Sequence, residues 1–316
     1  MRVLLPAVSP AQLARLQAAA PRAELVTYPY PDLKEAILQA PTAEVFYGHV
    51  TPELMRAAPG LRWVHGFRAG VDAYLFPEML ASPVVLTSAK AISAGHLADH
   101  VMTFILAFNR NLPHLWRCQA REVWETRANL RAMEMEDETL LIVGLGGTGL
   151  ALARRAASFG MQVRAVTRSA KPASPGIAHI GAMGELAAEL PRADHVAICC
   201  ALTPETRGLF SDREFGLMKP TAFIHNIARG AIIDQPALVR ALQAGRLAGA
   251  GLDVTDPEPL PAGHPLWHMP NVLITAHTSG HSPRVDERLF ELFLENLRRY
   301  AAGEPLLNLV DKRVGA

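Results

Sequence analysis

The sequence predicts an α/β fold built on parallel sheets, and two observations lead to that class. Short apolar runs alternate with stretches of helical composition along almost the whole chain, which is the pattern of strand–helix–strand units. One of these runs, residues 139–143, leads directly into a cluster of glycines that is followed by an Ala- and Arg-rich stretch. At 316 residues the chain is longer than a usual single domain, so we expect two α/β domains.

Five strands are predicted in the first part of the chain and six in the second. They cover residues 2–5, 24–27, 45–47, 63–65 and 84–87, and then residues 139–143, 162–167, 195–199, 222–226, 250–254 and 272–275. Between the two groups, an apolar helix is predicted over residues 96–110. It ends before Pro113, because the residue preceding a proline disfavours helical backbone. A last helix is predicted over residues 284–303, where Gly303 marks its end.

The glycine cluster reads Gly144-Leu-Gly-Gly-Thr-Gly149, the G-x-G-x-x-G pattern of dinucleotide-binding proteins in its required place between a strand and a helix. Glycine fits there because the turn needs positive φ, because the backbone must approach a pyrophosphate, and because helix and strand pack closely. The first turn of the helix then directs free N–H groups at the phosphates. We therefore predict a Rossmann-like domain that binds a dinucleotide at Gly144, Gly146, Gly147, Thr148 and Gly149.

The two predicted domains do not divide the chain at one point. The nucleotide-binding pattern starts near residue 95, and its last strand ends near residue 275, so the closing helix returns to the first domain. We predict a discontinuous substrate domain of residues 1–92 plus 281–316 and a dinucleotide-binding domain of residues 93–280. A cleft between two α/β domains is a favoured place for a small-molecule site, so the active site is expected there.

Composition narrows the class of partner. A formal net charge of +1 provides no basic surface for nucleic acid. Cys118, Cys199 and Cys200 form no pattern, which suits a reducing compartment and argues against disulfides or a zinc site. The longest apolar runs, such as residues 104–108, are far shorter than the roughly 18 residues that span a bilayer. We therefore expect a cytoplasmic protein that binds neither membrane nor nucleic acid.

Three polar residues, Arg229, Glu258 and His277, each follow one of the last three predicted strands. Because parallel strands end at the same edge of a sheet and ligands bind outside those ends, these residues should share one edge with the glycine turn. An arginine binds a carboxylate through two parallel hydrogen bonds, a histidine exchanges a proton near neutral pH, and a neighbouring carboxylate favours the imidazolium form. With a nicotinamide nearby, these residue types predict hydride transfer coupled to proton transfer on a 2-oxo acid.

Several segments together form a combination that is typical of one enzyme family. They are Arg68-Ala-Gly-Val-Asp72, Gly144-Leu-Gly-Gly-Thr-Gly149, Leu202-Thr-Pro-Glu-Thr206, Asn226-Ile-Ala-Arg-Gly230, Leu252-Asp-Val with Glu258-Pro259, and His277. With these segments, the chain resembles the D-isomer-specific 2-hydroxyacid dehydrogenases over nearly its whole length. The segment Asn308-Leu-Val-Asp-Lys-Arg313 is similar to the branch that contains glyoxylate and hydroxypyruvate reductases.

The resemblance implies roles for individual residues. Arg229 would bind the substrate carboxylate and carbonyl, His277 would be the acid/base, and Glu258 would pair with it. The backbone amides of Ala69 and Gly70 would hold the substrate carboxylate from the first domain. Further cofactor contacts would come from Ala201, Thr206, Ile227, Asp253 and Gly280, with Asp253 near the nicotinamide carboxamide.

A homodimer is also implied by the resemblance. The apolar face of residues 101–108 would help to form it, and burial in the chain's own core is the alternative explanation of that face. Trp116 and Trp124 are predicted to be packing and interface residues rather than substrate contacts.

The second strand of the nucleotide domain indicates which nicotinamide is used. NAD-selective sites of this fold carry an acidic residue about 20 positions beyond the glycine turn, where it accepts a hydrogen bond from the ribose 2′-OH. That position falls on Thr167, followed by Arg168 and Ser169, and Lys171 adds another positive charge. Without a carboxylate to repel a 2′-phosphate, these residues predict a preference for NADP(H), with NAD(H) as a possible second cofactor.

The predicted activity is the reduction of small 2-oxo acids of the glyoxylate or hydroxypyruvate type to D-2-hydroxy acids. One alternative is a D-2-hydroxyacid dehydrogenase for larger branched or aromatic 2-oxo acids. Another is a dinucleotide-sensing binding protein, because the family also includes transcriptional corepressors.

No metal ligand is predicted. His96 and His100 lie one helical turn apart with an acidic residue between them, but no third ligand suggests itself, and the segment also reads as a packing helix.

Overall fold

The computed structural model describes residues 1–126, 130, 133–168 and 171–313. It divides the chain into two compact units. Unit 1 combines Met1–Ile92 with Ser282–Ala316, and unit 2 is Ser93–His281. Among the described residues, no helix is both long enough and apolar enough to cross a bilayer.

Each unit is built on a sheet in which all strand pairings are parallel. The strands of unit 1 are β1 (Arg2–Pro6), β2 (Glu24–Tyr28), β3 (Val45–Tyr47), β4 (Trp63–His65) and β5 (Val85–Thr87), in the order β2-β1-β3-β4-β5. Those of unit 2 are β6 (Thr139–Val143), β7 (Gln162–Thr167), β8 (His179–Ala182), β9 (His195–Ile198), β10 (Phe223–Asn226), β11 (Gly249–Leu252) and β12 (Val272–Ile274), in the order β12-β11-β10-β9-β6-β7-β8.

Helices connect the strands, as parallel pairing requires. In chain order they are α1 (Pro10–Ala19), α2 (Leu33–Gln39), α3 (Pro52–Ala57), α4 (Pro77–Ala81), α5 (Ala94–Asn109), α6 (Leu112–Ala120), α7 (Gly147–Ser158), α8 (Leu186–Glu189), α9 (Asp212–Leu217), α10 (Gln235–Gln243) and α11 (Val285–Ala302). Their starts follow local rules. At α1, for example, Ser9 and Gln12 form a capping box and Pro10 occupies the first turn.

The predicted fold class is confirmed, since both units are α/β structures with parallel sheets. All eleven predicted strands are present, with ends that differ by at most two residues. The edge strand β8 and the helix α6 are among the elements of the structure that the sequence analysis does not predict. The helix predicted over residues 96–110 does end before Pro113, because α5 ends at Asn109. Pro113 itself lies in the first turn of α6, where its missing N–H costs no helical hydrogen bond.

The apolar face of residues 101–108 is buried inside unit 2, so the interpretation of this face as a dimer contact is wrong. Val101, Phe104 and Ile105 belong to a core cluster that also contains residues of α7 and of the sheet. The alternative stated above, burial in the chain's own core, explains the apolar pattern of this helix.

The closing helix α11 completes the core of unit 1. Phe293 is fully buried and its ring stacks on that of Tyr47, with 4.0 Å between the centroids. Within the helix, the buried side chain of Asn296 accepts a hydrogen bond at 2.7 Å from the backbone N–H of Leu307, which lies beyond the end of α11, and donates one to the Leu307 carbonyl at 3.1 Å. These contacts explain why residues after the nucleotide-binding strands belong to unit 1.

We expect Phe293→Ala to lower the free energy of unfolding of unit 1 by about 3–5 kcal/mol, because it removes a buried aromatic ring and leaves a cavity. The matched control is Leu38→Ala, which truncates a largely exposed side chain of the same unit and should change stability by about 0.5 kcal/mol or less. Urea unfolding of both variants measures the difference. Equal stabilities would show that α11 does not stabilise this core.

Candidate active site

The candidate residues of unit 2 lie in the loops that leave the carboxyl ends of its strands. The glycine turn follows β6, Arg168 follows β7, Ala201 and Thr206 lie in the loop after β9, Ile227 and Arg229 follow β10, Asp253 and Glu258 follow β11, and His277 and Gly280 follow β12. Since every strand of this sheet runs in the same direction, these loops lie at one edge of unit 2.

The glycine turn has the geometry that a dinucleotide requires. Gly144 has φ +100°, and a Cβ there would lie 2.6 Å from the backbone of Cys200. A Cβ on Gly149 would lie 2.3 Å from the Gly144 carbonyl oxygen. By contrast, a Cβ on Gly146, which caps the N-terminus of α7, would meet nothing within 4 Å. The chain therefore closes tightly on both sides of an open position where phosphate can approach the amides of Gly147 and Thr148.

The end of β7 carries positive charge and no acidic residue. The side chain of Thr167 is buried and that of Arg168 is exposed. Lys171 extends back to the glycine turn, where its ammonium donates a hydrogen bond to the Leu145 carbonyl. The predicted contact Ser169 lies outside the described residues. A carboxylate from another loop lies near this group, because Arg168 helps the Thr203 hydroxyl to lower the pKa of Glu205.

The loop after β9 is held by Thr206. Its hydroxyl donates to the Ala201 carbonyl at 2.7 Å and accepts from the Thr203 N–H at 2.8 Å. Ile227 is buried directly after β10. The Thr206 hydroxyl thus fixes the backbone of the loop that follows β9.

His277 and Glu258 form a hydrogen-bonded pair. The distance between His277 Nδ1 and Glu258 Oε2 is 2.9 Å, and Glu258 Oε1 accepts a hydrogen bond from the Thr255 N–H at 3.1 Å. The side chains are 49% and 38% exposed, so solvent reaches the pair. With Nδ1 engaged by the carboxylate, Nε2 is the ring nitrogen that can exchange a proton with a ligand.

The backbone under His277 is fixed by Asp253. His277 has φ +53°, a left-handed conformation that few non-glycine residues adopt, and its N–H donates to the Asp253 carbonyl at 2.8 Å. The buried carboxylate of Asp253 accepts hydrogen bonds from Thr275 Oγ1 at 2.5 Å, from the Thr278 N–H at 2.9 Å, and from both the N–H and the hydroxyl of Ser279. Asp253 therefore positions the turn that carries His277, a role that the sequence did not reveal.

His100 and His96, which lie one helical turn apart on α5, contact the segment around the same turn. His100 Nε2 lies 2.9 Å from Thr275 Oγ1, which donates its own proton to Asp253, so His100 is the donor. Burial lowers the pKa of His100, and the charge of Asp253 opposes this shift. His96 Nε2 lies 2.9 Å from the Gly280 carbonyl oxygen. The one-turn spacing places both histidines on one face of α5. There each imidazole forms a hydrogen bond with the segment of residues 275–280.

Arg229 lies on a loop that packs closely on the Glu258 loop. Its carbonyl accepts a hydrogen bond from Asn226 Nδ2 at 2.8 Å, and its guanidinium donates to the Ala228 carbonyl at 2.8 Å. A Cβ on Gly230 would lie 2.0 Å from the carbonyl group of Thr255. Glycine at this position therefore allows the Arg229 loop and the Glu258 loop to lie side by side.

Ala69 and Gly70, the other predicted substrate contacts, belong to unit 1. They lie in the loop that follows β4, at the carboxyl edge of its sheet, and Ala69 is exposed. The loop is tied down next to them, because the Arg68 carbonyl accepts a hydrogen bond from the Ala89 N–H at 3.0 Å.

A glycine turn that opens a helix and a histidine–carboxylate pair at the same sheet edge define a class: the oxidoreductases that depend on a nicotinamide dinucleotide. Residues 102–279 match the family model described as D-isomer specific 2-hydroxyacid dehydrogenase, NAD binding domain. The chain belongs to the D-isomer-specific 2-hydroxyacid dehydrogenase family, and it is an NAD(P)-dependent oxidoreductase.

Individual relatives agree with this assignment. A glyoxylate reductase of Thermofilum pendens is 31% identical over 268 residues, which cover 84% of this chain and 79% of that protein. The structure is similar to that of a family member from Xanthobacter autotrophicus in complex with NADPH and MES, with a TM-score of 0.85, 29% identity, and coverage of 100% of this chain and 99% of the other. It is also similar to the NADPH-dependent glyoxylate/hydroxypyruvate reductase of Sinorhizobium meliloti in complex with NADP and sulfate, with a TM-score of 0.85, 27% identity and the same coverage.

Proposed function

We propose that the protein is an NADP(H)-preferring reductase that converts small 2-oxo acids of the glyoxylate or hydroxypyruvate type to D-2-hydroxy acids. The observation that carries this proposal is the 2.9 Å hydrogen bond between His277 and Glu258, at the edge where the glycine turn offers a phosphate site. The names of the relatives support the substrate class, because both the Thermofilum pendens and the Sinorhizobium meliloti proteins are glyoxylate reductases.

When bound at the glycine turn, a reduced nicotinamide dinucleotide would supply the hydride that the carbonyl carbon of the substrate accepts. His277 donates the proton from Nε2 to the carbonyl oxygen, and the charge of Glu258 stabilises the imidazolium that must be present beforehand. The planar guanidinium of Arg229 binds the substrate carboxylate through two hydrogen bonds and polarises the carbonyl. The amides of Ala69 and Gly70 bind the same carboxylate. Asp253 contributes by holding the His277 turn.

The preference for NADP(H) rests on the charges beyond β7. Thr167 replaces the acidic residue that would accept from a ribose 2′-OH, and Arg168 and Lys171 provide two cations near the glycine turn. Thr167 is buried, so we assign the contact with the 2′-phosphate mainly to Arg168, with Ser169 beside it in the sequence. The complexes of the Xanthobacter autotrophicus and Sinorhizobium meliloti proteins with NADPH and NADP support this preference.

The direct test of the proposed function is a panel of 2-oxo acids assayed with NADPH and with NADH. We expect glyoxylate and hydroxypyruvate to give the highest kcat/KM, and NADPH to be preferred. A higher kcat/KM for phenylpyruvate or a branched 2-oxo acid would replace the proposed substrate class with the larger one. Binding of the dinucleotide without turnover of any of these acids would overturn the catalytic function.

We also propose a homodimer, on the basis of two exposed tryptophan side chains. Trp124 is 95% exposed and Trp116 is 55% exposed, and aromatic residues are enriched at protein–protein interfaces. Analytical ultracentrifugation at several protein concentrations measures the oligomeric state, and a monomer at every concentration would exclude the dimer.

His277→Asn should lower kcat by about 100-fold or more, since general acid catalysis contributes about 10²–10⁴-fold. Asparagine is chosen because it tolerates the left-handed backbone of this position. The control His281→Ala removes an imidazole from the same loop and should leave kcat within about twofold. A His277→Asn enzyme with more than a tenth of wild-type kcat would remove this histidine from the proton transfer.

Glu258→Gln should lower kcat of reduction by about tenfold or more. The hydrogen bond between the Glu258 carboxylate and His277 Nδ1 is replaced by one to a neutral amide, and a hydrogen bond to a charged group contributes about 1.5–3 kcal/mol. Asp256→Asn, a charge removal two residues away in the same loop, is the control. Assays of kcat for the three proteins should separate the Glu258→Gln enzyme from the other two; equal kcat values would disprove the role of Glu258 in supporting His277.

Arg168→Ala should weaken the binding of NADPH by about 1.5–3 kcal/mol, or roughly tenfold to a hundredfold in Kd, because it removes a charged hydrogen-bond donor to the 2′-phosphate. NADH binding should change little. Arg213→Ala, which removes an arginine whose side chain is 77% exposed, serves as the control for net charge. Titration of each variant with both cofactors provides the comparison, and an equal loss for NADH and NADPH would contradict the assignment.

A further inference from the structure

The end of helix α6 reverses the chain sharply. Glu122 adopts a left-handed conformation with φ +58°. Its N–H donates to the Gln119 carbonyl at 3.0 Å, and the Val123 N–H donates to the Cys118 carbonyl at 2.9 Å. This pair of hydrogen bonds is the Schellman motif, in which one left-handed residue turns the chain back along the helix that it has just left. The segment after Glu122 therefore returns towards the last turns of α6.

The reversal brings three potential metal ligands together, far from the His277 pair in the sequence. His114 and Cys118 are four residues apart on α6 and so share one face of the helix, and Glu125 approaches them from the returning segment. His114 Nε2 lies 2.9 Å from Glu125 Oε2, and Cys118 Sγ lies 3.4 Å from the same nitrogen and 3.8 Å from the same oxygen. Among the described residues this is the one group of three such side chains whose ligand atoms lie so close.

We propose that His114, Cys118 and Glu125 form a binding site for a divalent transition metal, with Zn²⁺ as the preferred ion. In a tetrahedral zinc site with metal–ligand bonds of about 2.0–2.3 Å, neighbouring ligand atoms lie about 3.3–3.6 Å apart. The three distances in this cluster scatter around those values, so a Zn²⁺ ion can contact all three atoms with shifts of a few tenths of an ångström.

The chemistry of the ligands favours zinc over other common ions. One thiolate, one imidazole and one carboxylate are the three ligand types that Zn²⁺ uses in proteins, whereas Mg²⁺ and Ca²⁺ require oxygen ligands. On binding, the Cys118 thiol releases its proton to solvent, and the thiolate and the carboxylate then balance the charge of the ion. Cys118 is buried but the His114 side chain is 38% exposed, so a water molecule can occupy the fourth position from that side.

The bound ion would stabilise the local structure and would take no part in hydride transfer. The ion would join helix α6 to Glu125 in the segment that follows Glu122. No sequence pattern indicates this site, because a single cysteine contributes and the third ligand is brought in by a turn.

Titration of the purified, chelator-treated protein with Co²⁺ tests the site, because cobalt replaces zinc and its bond to a thiolate produces a charge-transfer absorption band. We expect the wild type to bind one equivalent with this band and with the visible bands of tetrahedral cobalt. Cys118→Ser should lose the charge-transfer band, while Cys199→Ser, which removes a thiol outside the cluster, should keep it. A wild type without the band, or a Cys118→Ser protein that retains it, would overturn the proposal.

Thermal unfolding provides a second readout. Zn²⁺ should raise the Tm of the wild type, and Mg²⁺ should not. In Glu125→Gln and His114→Ala the affinity for Co²⁺ should fall by about 100-fold or more, because loss of even an outer partner of a metal ligand costs about 10–100-fold. Circular dichroism and NADPH binding show whether each variant is folded. Equal Co²⁺ affinity in these folded variants and the wild type would also refute the site.

Discussion

The parallel direction of all seven strands in unit 2 is the constraint on which its candidate site depends. Residues from Gly144 to His277 are distant in the sequence, yet each lies just beyond a strand and so at the same edge. Direction alone does not align the loops, and two close contacts do so. Gly144 lies against the backbone of Cys200, and Gly230 lies against Thr255, and neither contact leaves room for a side chain. Sheet direction and these glycines together place the charged groups.

Asp253 shows how a buried charge can serve a neighbouring exposed group. Removing a carboxylate from water is costly unless it accepts hydrogen bonds in return. Here the N–H groups of Thr278 and Ser279 and two hydroxyls supply them, and they come from the turn that holds His277 in a left-handed conformation. The same hydrogen bonds therefore both stabilise the buried charge of Asp253 and fix the backbone that orients His277. His100 extends it to helix α5 through Thr275.

The features that the sequence could predict are those with a local sequence pattern. Strands, the glycine turn and the positions of Arg229, Glu258 and His277 follow from local patterns and from the rule that parallel strands end together. The supporting role of His100 and the cluster around Cys118 arise from contacts between segments, which no local pattern records. The face of residues 101–108 was misread for a related reason, because an apolar helix face has the same sequence whether it meets its own sheet or another molecule. Strand β8 lies at the edge of its sheet and is only partly buried, so its apolar signal is weak.

The position of α11 near the end of the sequence affects how the chain folds during its synthesis. Unit 1 needs α11 to bury Tyr47 and Trp63, yet on a ribosome α11 emerges after the whole of unit 2. Domains that are continuous in sequence can fold in the order of their synthesis, amino-terminal first. Here that order is reversed: the inserted unit can complete its core while the apolar faces of the first strands remain uncovered until the last helix is made. A nascent chain of this protein therefore depends longest on protection from aggregation at its amino-terminal end.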